Sequence, residues 1–207
     1  MVLSTRLLMP LLLVAALACF LLLEWIGGVT YPLDVAAVQA SGTWRSAHPG
    51  VTEAIVLYTH LGNGPSLLAM TATGAFWLLL KREKRRALFL VLAVVGGRIG
   101  IEIIKLFVDR ARPAFEVHPV IVHSQSFPSG HAGNSMLTFL AMALFVAPEG
   151  WRRAAVAVAV IAALAMGATR PLLGVHWPSD VVAGWIYGAA VALLGWSWFR
   201  RSGRSAA

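Results

Sequence analysis

The chain has 207 residues, of which 58% are hydrophobic and only 13% are charged. This composition excludes a soluble domain of average type and indicates a polytopic membrane protein. Lys and Arg number 17 against nine Asp and Glu, which leaves a net charge of +8. In a membrane protein such an excess reflects orientation and anionic lipid, so nucleic acid binding is not expected. The single cysteine, Cys19, cannot form an intramolecular disulfide.

Six apolar runs approach or exceed the length needed to cross a bilayer. They predict an all-α integral membrane protein, a six-helix bundle formed by a single domain over residues 1–207. The first run follows Arg6 and also fits a signal peptide, but it is too long and no small-x-small cleavage pattern closes it. The predicted spans are Leu7 to Ile26, Ser66 to Leu80, Ala87 to Val108, Ser129 to Val146, Ala154 to Leu173 and Val181 to Phe199.

Basic residues cluster in alternate connections between the spans. By the positive-inside rule these connections and both termini are cytoplasmic, including a tail at residues 200–207. We expect residues 27–65 to be an external loop with a short amphipathic stretch near Val51 to Leu61. The basic clusters are Lys81 to Arg86, Arg152 with Arg153, and Arg200, Arg201 and Arg204. The predicted external segments are residues 27–65, 109–128 and 172–178.

Charged residues in the third predicted span recur at helical spacing. Arg98, Glu102, Lys105, Asp109 and Arg112 fall on one stripe if the helix continues to Arg112. A charge near the bilayer centre costs at least ~2.5 kcal/mol, so the stripe faces the bundle interior or a wet cavity. We expect Arg98 and Glu102 to neutralise each other. For Lys105 and Arg112, snorkelling to headgroups is the alternative to binding an anion.

The fourth predicted span opens with Ser129-Gly130-His131. Ser129 can cap the helix, and Gly130 lets an oxyanion approach free backbone N–H groups, since a helix N-terminus is an anion site. An ordinary cap is the alternative role for Ser129. Polar residues descend from His131 into the bundle, and for them we expect interhelical hydrogen bonds: Asn134, Ser135 and Thr138.

The connection between the fifth and sixth predicted spans carries a second histidine. His176 precedes Pro178, which suits the first turn of a helix. If that turn extends back to His176, Asp180 lies one turn away and can accept from one ring nitrogen. The other nitrogen is then unprotonated and nucleophilic.

Three cations surround these groups in the predicted topology: Lys105, Arg112 and Arg170. Two histidines and an aspartate could also bind zinc, but the three cations would repel a metal ion and suit a phosphate. Three cations, a helix N-terminus and two histidines at the external ends of helices indicate phosphoryl transfer at a membrane surface.

Three motifs lie within residues 105–180. They are Lys105-(six residues)-Arg112-Pro113, Pro128-Ser129-Gly130-His131, and Thr169-Arg170-(five residues)-His176-(three residues)-Asp180. Together they resemble the signature of the type 2 phosphatidic acid phosphatase family, membrane lipid phosphatases that are related to vanadium haloperoxidases. Thr169 stands where the family usually has Ser, and the hydroxyl is retained.

The resemblance implies a role for each motif residue. His176 would attack phosphorus and form a phosphohistidine, Asp180 would orient His176, and His131 would protonate the leaving oxygen. No metal and no cofactor are implied, so cationic side chains would stabilise the transferred phosphoryl group. The residues implied to hold its oxygens are Lys105, Arg112, Ser129, Gly130 and Arg170.

The sequence therefore predicts an enzyme that removes phosphate from an anionic lipid in a bacterial inner membrane, with its site facing the periplasm or exterior. Phosphatidic acid, phosphatidylglycerol phosphate and polyprenyl diphosphate all stay open, because acyl and prenyl tails are recognised alike by burial. Transfer of phosphate from polyprenyl diphosphate to another lipid is one alternative. A non-catalytic lipid-phosphate binder or transporter is another, although it would need neither histidine. No pattern indicates an oligomeric state.

Overall fold

A computed structural model of the chain describes residues 11, 14, 16, 18, 31–115, 117–122 and 124–203. The elements described there are all helical. They include two short 3₁₀ helices, His60–Gly62 and Glu149–Trp151. The α-helices are α1 (Tyr31–Ala47), α2 (Pro49–Thr59), α3 (Gly64–Leu80), α4 (Lys84–Val108), α5 (Gly130–Phe145), α6 (Arg152–Leu172) and α7 (Pro178–Ser202).

Five of the six predicted spans correspond to helices α3 to α7, each within a few residues of its predicted bounds. The span predicted at Leu7 to Ile26 lies outside the described residues, apart from four helical positions, as do Cys19 and residues 204–207. Three stretches are long and apolar enough to cross a membrane: Lys84–Val108, Glu149–Leu172 and Pro178–Ser202. Helix α3 is apolar but shorter.

The prediction of a loop at residues 27–65 is wrong for most of the part that the structure describes, but α2 overlaps the amphipathic stretch predicted near Val51 to Leu61. Helices α1 and α2 occupy most of it and pack against α6, while α1 also contacts α7. The prolines that indicated a loop lie in first turns, as Pro32 does in α1 and Pro49 in α2. A first-turn proline breaks no helix, because its missing N–H would have no intrahelical partner.

Helix α5 lies at the centre of the bundle, between α4, α6 and α7. Twelve of its 16 residues are buried. A Cβ atom on Gly188 of α7 would lie 2.3 Å from the carbonyl oxygen of Gly133, and one on Gly184 would lie 2.7 Å from that of Ser129. Glycine therefore lets the two backbones touch. This contact brings the N-termini of both helices together, and Ser129 N–H donates to the Asp180 carbonyl at 3.0 Å.

The outward face of α4 is apolar. Its exposed large side chains recur at helical spacing and form a surface suited to hydrocarbon. Such a surface on the longest helices agrees with a membrane protein. The exposed residues include Leu88, Leu92, Ile99, Ile103, Leu106 and Phe107.

The predicted charged stripe is not continuous. Helix α4 ends at Val108, where Asp109 takes a left-handed φ of 45°, so Arg112 follows in a non-helical segment. The expected Arg98–Glu102 ion pair is absent from the described structure. Arg98 Nη1 is buried without a hydrogen-bond partner there, whereas Glu102 is exposed. A spacing of four residues places two side chains near each other but does not fix their orientations, and here Glu102 lies beyond ion-pair distance of Arg98.

Candidate active site

His176 lies in the tight connection between α6 and α7. Gly174 takes a φ of 72°, in the left-handed region that favours glycine, and reverses the chain directly after α6. Val175 N–H then donates to the Arg170 carbonyl at 3.1 Å. Pro178 starts α7 two residues after His176, whose side chain is only 2% exposed. The histidine is therefore fixed between two helix ends.

Asp180 contacts His176 and several further donors. Its Oδ2 lies 3.3 Å from His176 Nδ1 and accepts from Trp177 N–H at 2.9 Å and from the Ser126 hydroxyl. Its Oδ1 accepts from Arg110 Nη1 at 2.8 Å. The side chain is fully buried. Because every partner donates, the arrangement favours Asp180 as a carboxylate.

The other ring nitrogen of His176 contacts Arg112. Arg112 Nη1 lies 2.9 Å from His176 Nε2 and also donates to the Val175 carbonyl at 2.6 Å. A guanidinium group has donors only, so Nε2 must be the acceptor. Nδ1 therefore carries the hydrogen, which faces Asp180 Oδ2 and the Ser126 hydroxyl oxygen, each at 3.3 Å. Burial, and then the charges of Arg112, Arg170 and Lys105, lower the pKa of His176 well below its usual value. The site thus favours a neutral histidine with a lone pair on Nε2.

Lys105 and Arg112 converge on the segment before α5. Lys105 Nζ donates to the Ser124 hydroxyl at 2.9 Å and to the Gln125 carbonyl at 2.8 Å, and Arg112 Nε donates to the Ser124 carbonyl at 2.7 Å. Lys105 is 3% exposed, so it does not snorkel to the surface. Burial lowers the pKa of Arg112, an effect that the Asp180 carboxylate opposes.

Arg170 is held by two threonines. Its Nη1 donates to Thr59 Oγ1 at 2.9 Å, and Thr59 Oγ1 lies 3.0 Å from Thr169 Oγ1. Thr169 in turn donates to the Met166 carbonyl at 2.6 Å, so the hydroxyl of Thr59 donates to that of Thr169. Arg170 is 2% exposed, and its Nε has no hydrogen-bond partner among the described residues. Thr169 therefore supports Arg170 through Thr59.

His131 lies in the first turn of α5. Its Nε2 is 2.9 Å from Asn63 Oδ1, and Asn63 Nδ2 is 3.1 Å from Nδ1 of the exposed His60. Asn63 directly precedes α3, so the start of that helix is placed against His131.

Ser129 and Gly130 lie where the first two motifs meet. Ser129 is fully buried and its hydroxyl accepts from Ala132 N–H at 3.5 Å, the ordinary cap that the sequence offered as the alternative. A Cβ atom on Gly130 would lie 3.8 Å from Cε of Lys105. The start of α5 therefore adjoins Lys105.

The expected interhelical hydrogen bonds below His131 are not formed with the described residues. Three side-chain oxygens are buried without a partner there: Asn134 Oδ1, Ser135 Oγ and Thr138 Oγ1. Helical periodicity places these groups on one side of α5 but does not reveal what a neighbouring helix offers them.

Sequence reasoning missed the residues that support the motif side chains. Arg110 and Ser126 could have been found, because both are polar: Arg110 lies inside the first motif, and Ser126 lies between the first and second motifs. The other three lie within residues 27–65, which were predicted as an external loop. The residues missed are Asp34, Thr59, Asn63, Arg110 and Ser126.

A family model described as the PAP2 superfamily matches residues 86–204, more than half of the chain. The chain belongs to the PAP2 superfamily. The match includes all three motifs, and it confirms the resemblance predicted from the sequence.

The chain is similar to curated proteins named as lipid phosphatases. It is 35% identical over 156 residues to the lipid A 1-phosphatase of Rhizobium johnstonii (strain DSM 114642 / LMG 32736 / 3841). That alignment covers 67% of this chain and 62% of the relative. It is 30% identical over 125 residues to the undecaprenyl-diphosphatase of Sulfolobus acidocaldarius (strain ATCC 33909 / DSM 639 / JCM 8929 / NBRC 15157 / NCIMB 11770), covering 58% of each. The chain thus spans about three fifths of these two relatives. The predicted enzyme class, a phosphatase, is confirmed.

The fold is also similar to a solved membrane structure. The crystal structure of a transmembrane PAP2 type phosphatidylglycerolphosphate phosphatase from Bacillus subtilis superposes with a TM-score of 0.84 at 25% identity. The alignment covers 93% of this chain and 96% of that one. The two proteins therefore share the helical arrangement over nearly their whole lengths.

Proposed function

We propose that this protein removes a terminal phosphate from a lipid phosphate or diphosphate through a phosphohistidine on His176. One observation carries the proposal. Nδ1 of His176 faces Asp180, whereas Nε2 accepts a hydrogen bond from Arg112 at 2.9 Å. The lone pair of a buried, neutral imidazole is thereby directed at a cation of the type that binds phosphate.

The reaction proceeds in two steps. Nε2 attacks phosphorus and forms a P–N bond as the P–O bond to the lipid breaks. His131, which takes up a proton when the negative charge of the bound phosphate offsets the surrounding cations, gives that proton to the leaving oxygen. Water then attacks phosphorus and gives a proton to His131 as the P–N bond breaks. Inorganic phosphate leaves, and His176 and His131 return to their starting forms. Asp180 stabilises the charge that develops on the His176 ring.

Fixed positive charge stabilises the phosphoryl oxygens in both steps. The residues assigned to this role come from three parts of the chain that meet at the N-terminal end of α5, where free backbone N–H groups add to the positive field. No metal is required, because the side chains themselves supply the charge. The assigned residues are Lys105, Arg112, Ser129, Gly130 and Arg170.

The names of the relatives support the proposed substrate class. They include lipid A 1-phosphatase, undecaprenyl-diphosphatase and phosphatidylglycerolphosphate phosphatase. Each name refers to a phosphate or diphosphate carried by a lipid. We propose the same class here, with phosphatidylglycerol phosphate, phosphatidic acid and polyprenyl diphosphate as the first candidates.

We place the protein in a bacterial inner membrane with six spans and the site on the extracytoplasmic side. The basic turn at Lys81 to Arg86 lies at the start of α4, and Lys105 lies near its other end, about 30 Å away at 1.5 Å per residue. The test is labelling of spheroplasts with an impermeant thiol reagent, after Cys19→Ser and either Ala114→Cys or Glu83→Cys. Labelling at position 114 alone supports this orientation, and labelling at position 83 alone contradicts it.

The test of the activity is phosphate release by detergent-purified protein from a panel of lipid monophosphates and diphosphates. We expect release in excess EDTA, with His176→Ala inactive on every lipid. Complete loss of turnover in EDTA that one divalent ion restores would contradict the metal-free mechanism. Isotope appearing in a second lipid rather than in inorganic phosphate would establish the phosphotransferase alternative. Tight lipid binding without release would establish the non-catalytic binder.

A further inference from the structure

Helix α1 contacts both ends of the segment that carries His176. We call residues 172–180, from the last residue of α6 to the first turn of α7, the catalytic segment. Arg45 Nη1 donates to the Leu172 carbonyl at 2.6 Å, at one end of the segment. Asp34 Oδ1 accepts from Ser179 N–H at 2.9 Å, and its Oδ2 accepts from the Ser179 hydroxyl, at the other end.

The spacing of these two residues suits a rigid brace. Asp34 and Arg45 are eleven residues apart on one helix, which is about three turns and returns the side chain to nearly the same face. The intervening distance along the helix is about 16 Å. A single rigid element therefore holds both ends of the segment at a fixed separation.

The signs of the two charges match the helix ends that they contact. The Asp34 carboxylate of α1 contacts the N-terminus of α7, where backbone N–H groups lack intrahelical partners and the helix dipole is positive. The Arg45 guanidinium of α1 contacts the C-terminus of α6, where carbonyl groups lack intrahelical partners and the helix dipole is negative. Arg45 also packs over the chain reversal, since a Cβ atom on Gly174 would lie 3.0 Å from its Nη2. Both contacts are thus electrostatically favourable.

Arg110 links this brace to the carboxylate behind His176. Its Nη2 lies 2.8 Å from Asp34 Oδ2, and its Nη1 lies 2.8 Å from Asp180 Oδ1. Asp34 is 1% exposed and Asp180 is fully buried. Because two buried carboxylates share this guanidinium, its charge is not directed at Asp180 alone. Arg110 therefore neutralises Asp180 less completely, and Asp180 interacts more strongly with the Nδ1–H of His176.

We propose that α1 is the positioning element of the catalytic segment, with Asp34 and Arg45 as positioning residues that act on His176 through Asp180 and the backbone. The proposal rests on the proposed function, because its readout is the reactivity of His176. Neither residue touches the assigned phosphate site, so their loss lowers kcat and the rate of phosphoenzyme formation while KM changes little.

The two residues differ in their effect on the pH profile. Replacing Asp34 by Asn removes a negative charge close to Arg110 and Asp180, which makes His176 still less basic. The acid limb of kcat/KM should therefore move to lower pH, and kcat should fall about tenfold. Replacing Arg45 by Met should lower kcat about tenfold, whereas Arg45→Lys, which can still donate to Leu172, should recover most of it.

The experiment compares Asp34→Asn, Arg45→Met and Arg45→Lys with Gln39→Met, a change at an exposed site on the same helix. Thermal unfolding and size exclusion establish that each variant folds. Steady-state kinetics, a pH profile and rapid-quench phosphoenzyme formation are then measured on one lipid diphosphate. Slower phosphoenzyme formation at unchanged KM, with rescue by Lys at position 45, supports the proposal.

Wild-type kinetics and an unchanged acid limb in folded Asp34→Asn and Arg45→Met would overturn the proposal. If Asp34→Asn does not fold, the Arg45→Met and Arg45→Lys pair decides it at the other end of the segment. His176→Ala separates this proposal from the proposed function. If His176→Ala remains active, the proposed function fails, whereas an inactive His176→Ala beside unaffected α1 variants means that only the positioning role fails.

Discussion

Arg112 Nη1 and His176 Nε2 are 2.9 Å apart, so the nitrogen that we assign to attack on phosphorus touches a side chain that we assign to bind its oxygens. The same guanidinium that keeps Nε2 unprotonated can bind a phosphoryl oxygen beside it. The nucleophile and the phosphate site are therefore neighbours before substrate binds. This is possible because α4 ends at Val108, so that Arg112 lies in a non-helical segment and reaches the α6–α7 connection.

Arg112→Gln should lower kcat/KM by about two orders of magnitude. Loss of a charged donor to a transition-state oxyanion costs on the order of 3 kcal/mol, which is about a hundredfold in rate. The measurement is steady-state hydrolysis of a lipid diphosphate. Arg153→Gln, at the opposite end of the bundle, is the matched control and should stay near wild type. Equal kinetics for the two variants would show that Arg112 does not hold the phosphate.

His131→Ala should impair hydrolysis of monophosphates far more than that of diphosphates. A lipid alkoxide is a poor leaving group, because its conjugate acid, an alcohol, is a very weak acid. A lipid monophosphate is the anion of a much stronger acid and departs largely unassisted. The comparison uses a matched pair of lipids and includes His176→Ala, which should be inactive on both. Equal fractional losses for His131→Ala on the two substrates would remove the reason to call it the acid.

The acid limb of kcat/KM should lie well below pH 6.5. Burial and the neighbouring cations lower the pKa of His176, and its active form is unprotonated, so activity falls only where that lowered pKa is reached. Arg112→Gln removes one of these charges and should move the limb upward. The pH profile is corrected for ionisation of the substrate, which is measured separately by phosphorus NMR. A wild-type limb near pH 6.5 would contradict the assignment.

Thr59→Val should lower kcat/KM about tenfold, because Arg170 loses the acceptor of its Nη1 and a hydrogen bond to a charged group contributes about 1.5 kcal/mol. Thr169→Ser keeps the hydroxyl that Thr59 contacts and should stay close to wild type. Thr73→Val, at an exposed site on α3, is the control. An unchanged Thr59→Val would mean that Arg170 is positioned by other contacts.

Helices α3 to α7 could be predicted closely from the sequence, because apolar runs of bilayer length leave few alternatives. Helix α1 could not, and α2 was indicated only by the amphipathic stretch near Val51 to Leu61. Their prolines and glycines are typical of loops, and only the structure places Pro32 and Pro49 in first turns. The end of α4 at Val108 was also missed, since nothing in the charged stripe reveals the left-handed backbone of Asp109.

For the site, spacing and charge brought the three motifs together, but their supporting contacts were not predictable. Asp34 and Arg110 are 76 positions apart, and Arg170 and Thr59 are 111 apart. Such pairs have no periodic signature in one sequence. The contact between His176 and Asp180 was predictable, because it spans four residues at a helix start.

The measurement that tests the central claim most directly is the site of phosphate attachment during turnover. The enzyme is mixed with a lipid diphosphate carrying labelled terminal phosphate, quenched within milliseconds in alkaline detergent to preserve phosphohistidine, and analysed by mass spectrometry. Because Nδ1 faces Asp180 and Nε2 faces Arg112, we expect phosphate on Nε2 of His176 and none in His176→Ala. Phosphate on any other residue, or a phosphoenzyme that persists in His176→Ala, would contradict the account.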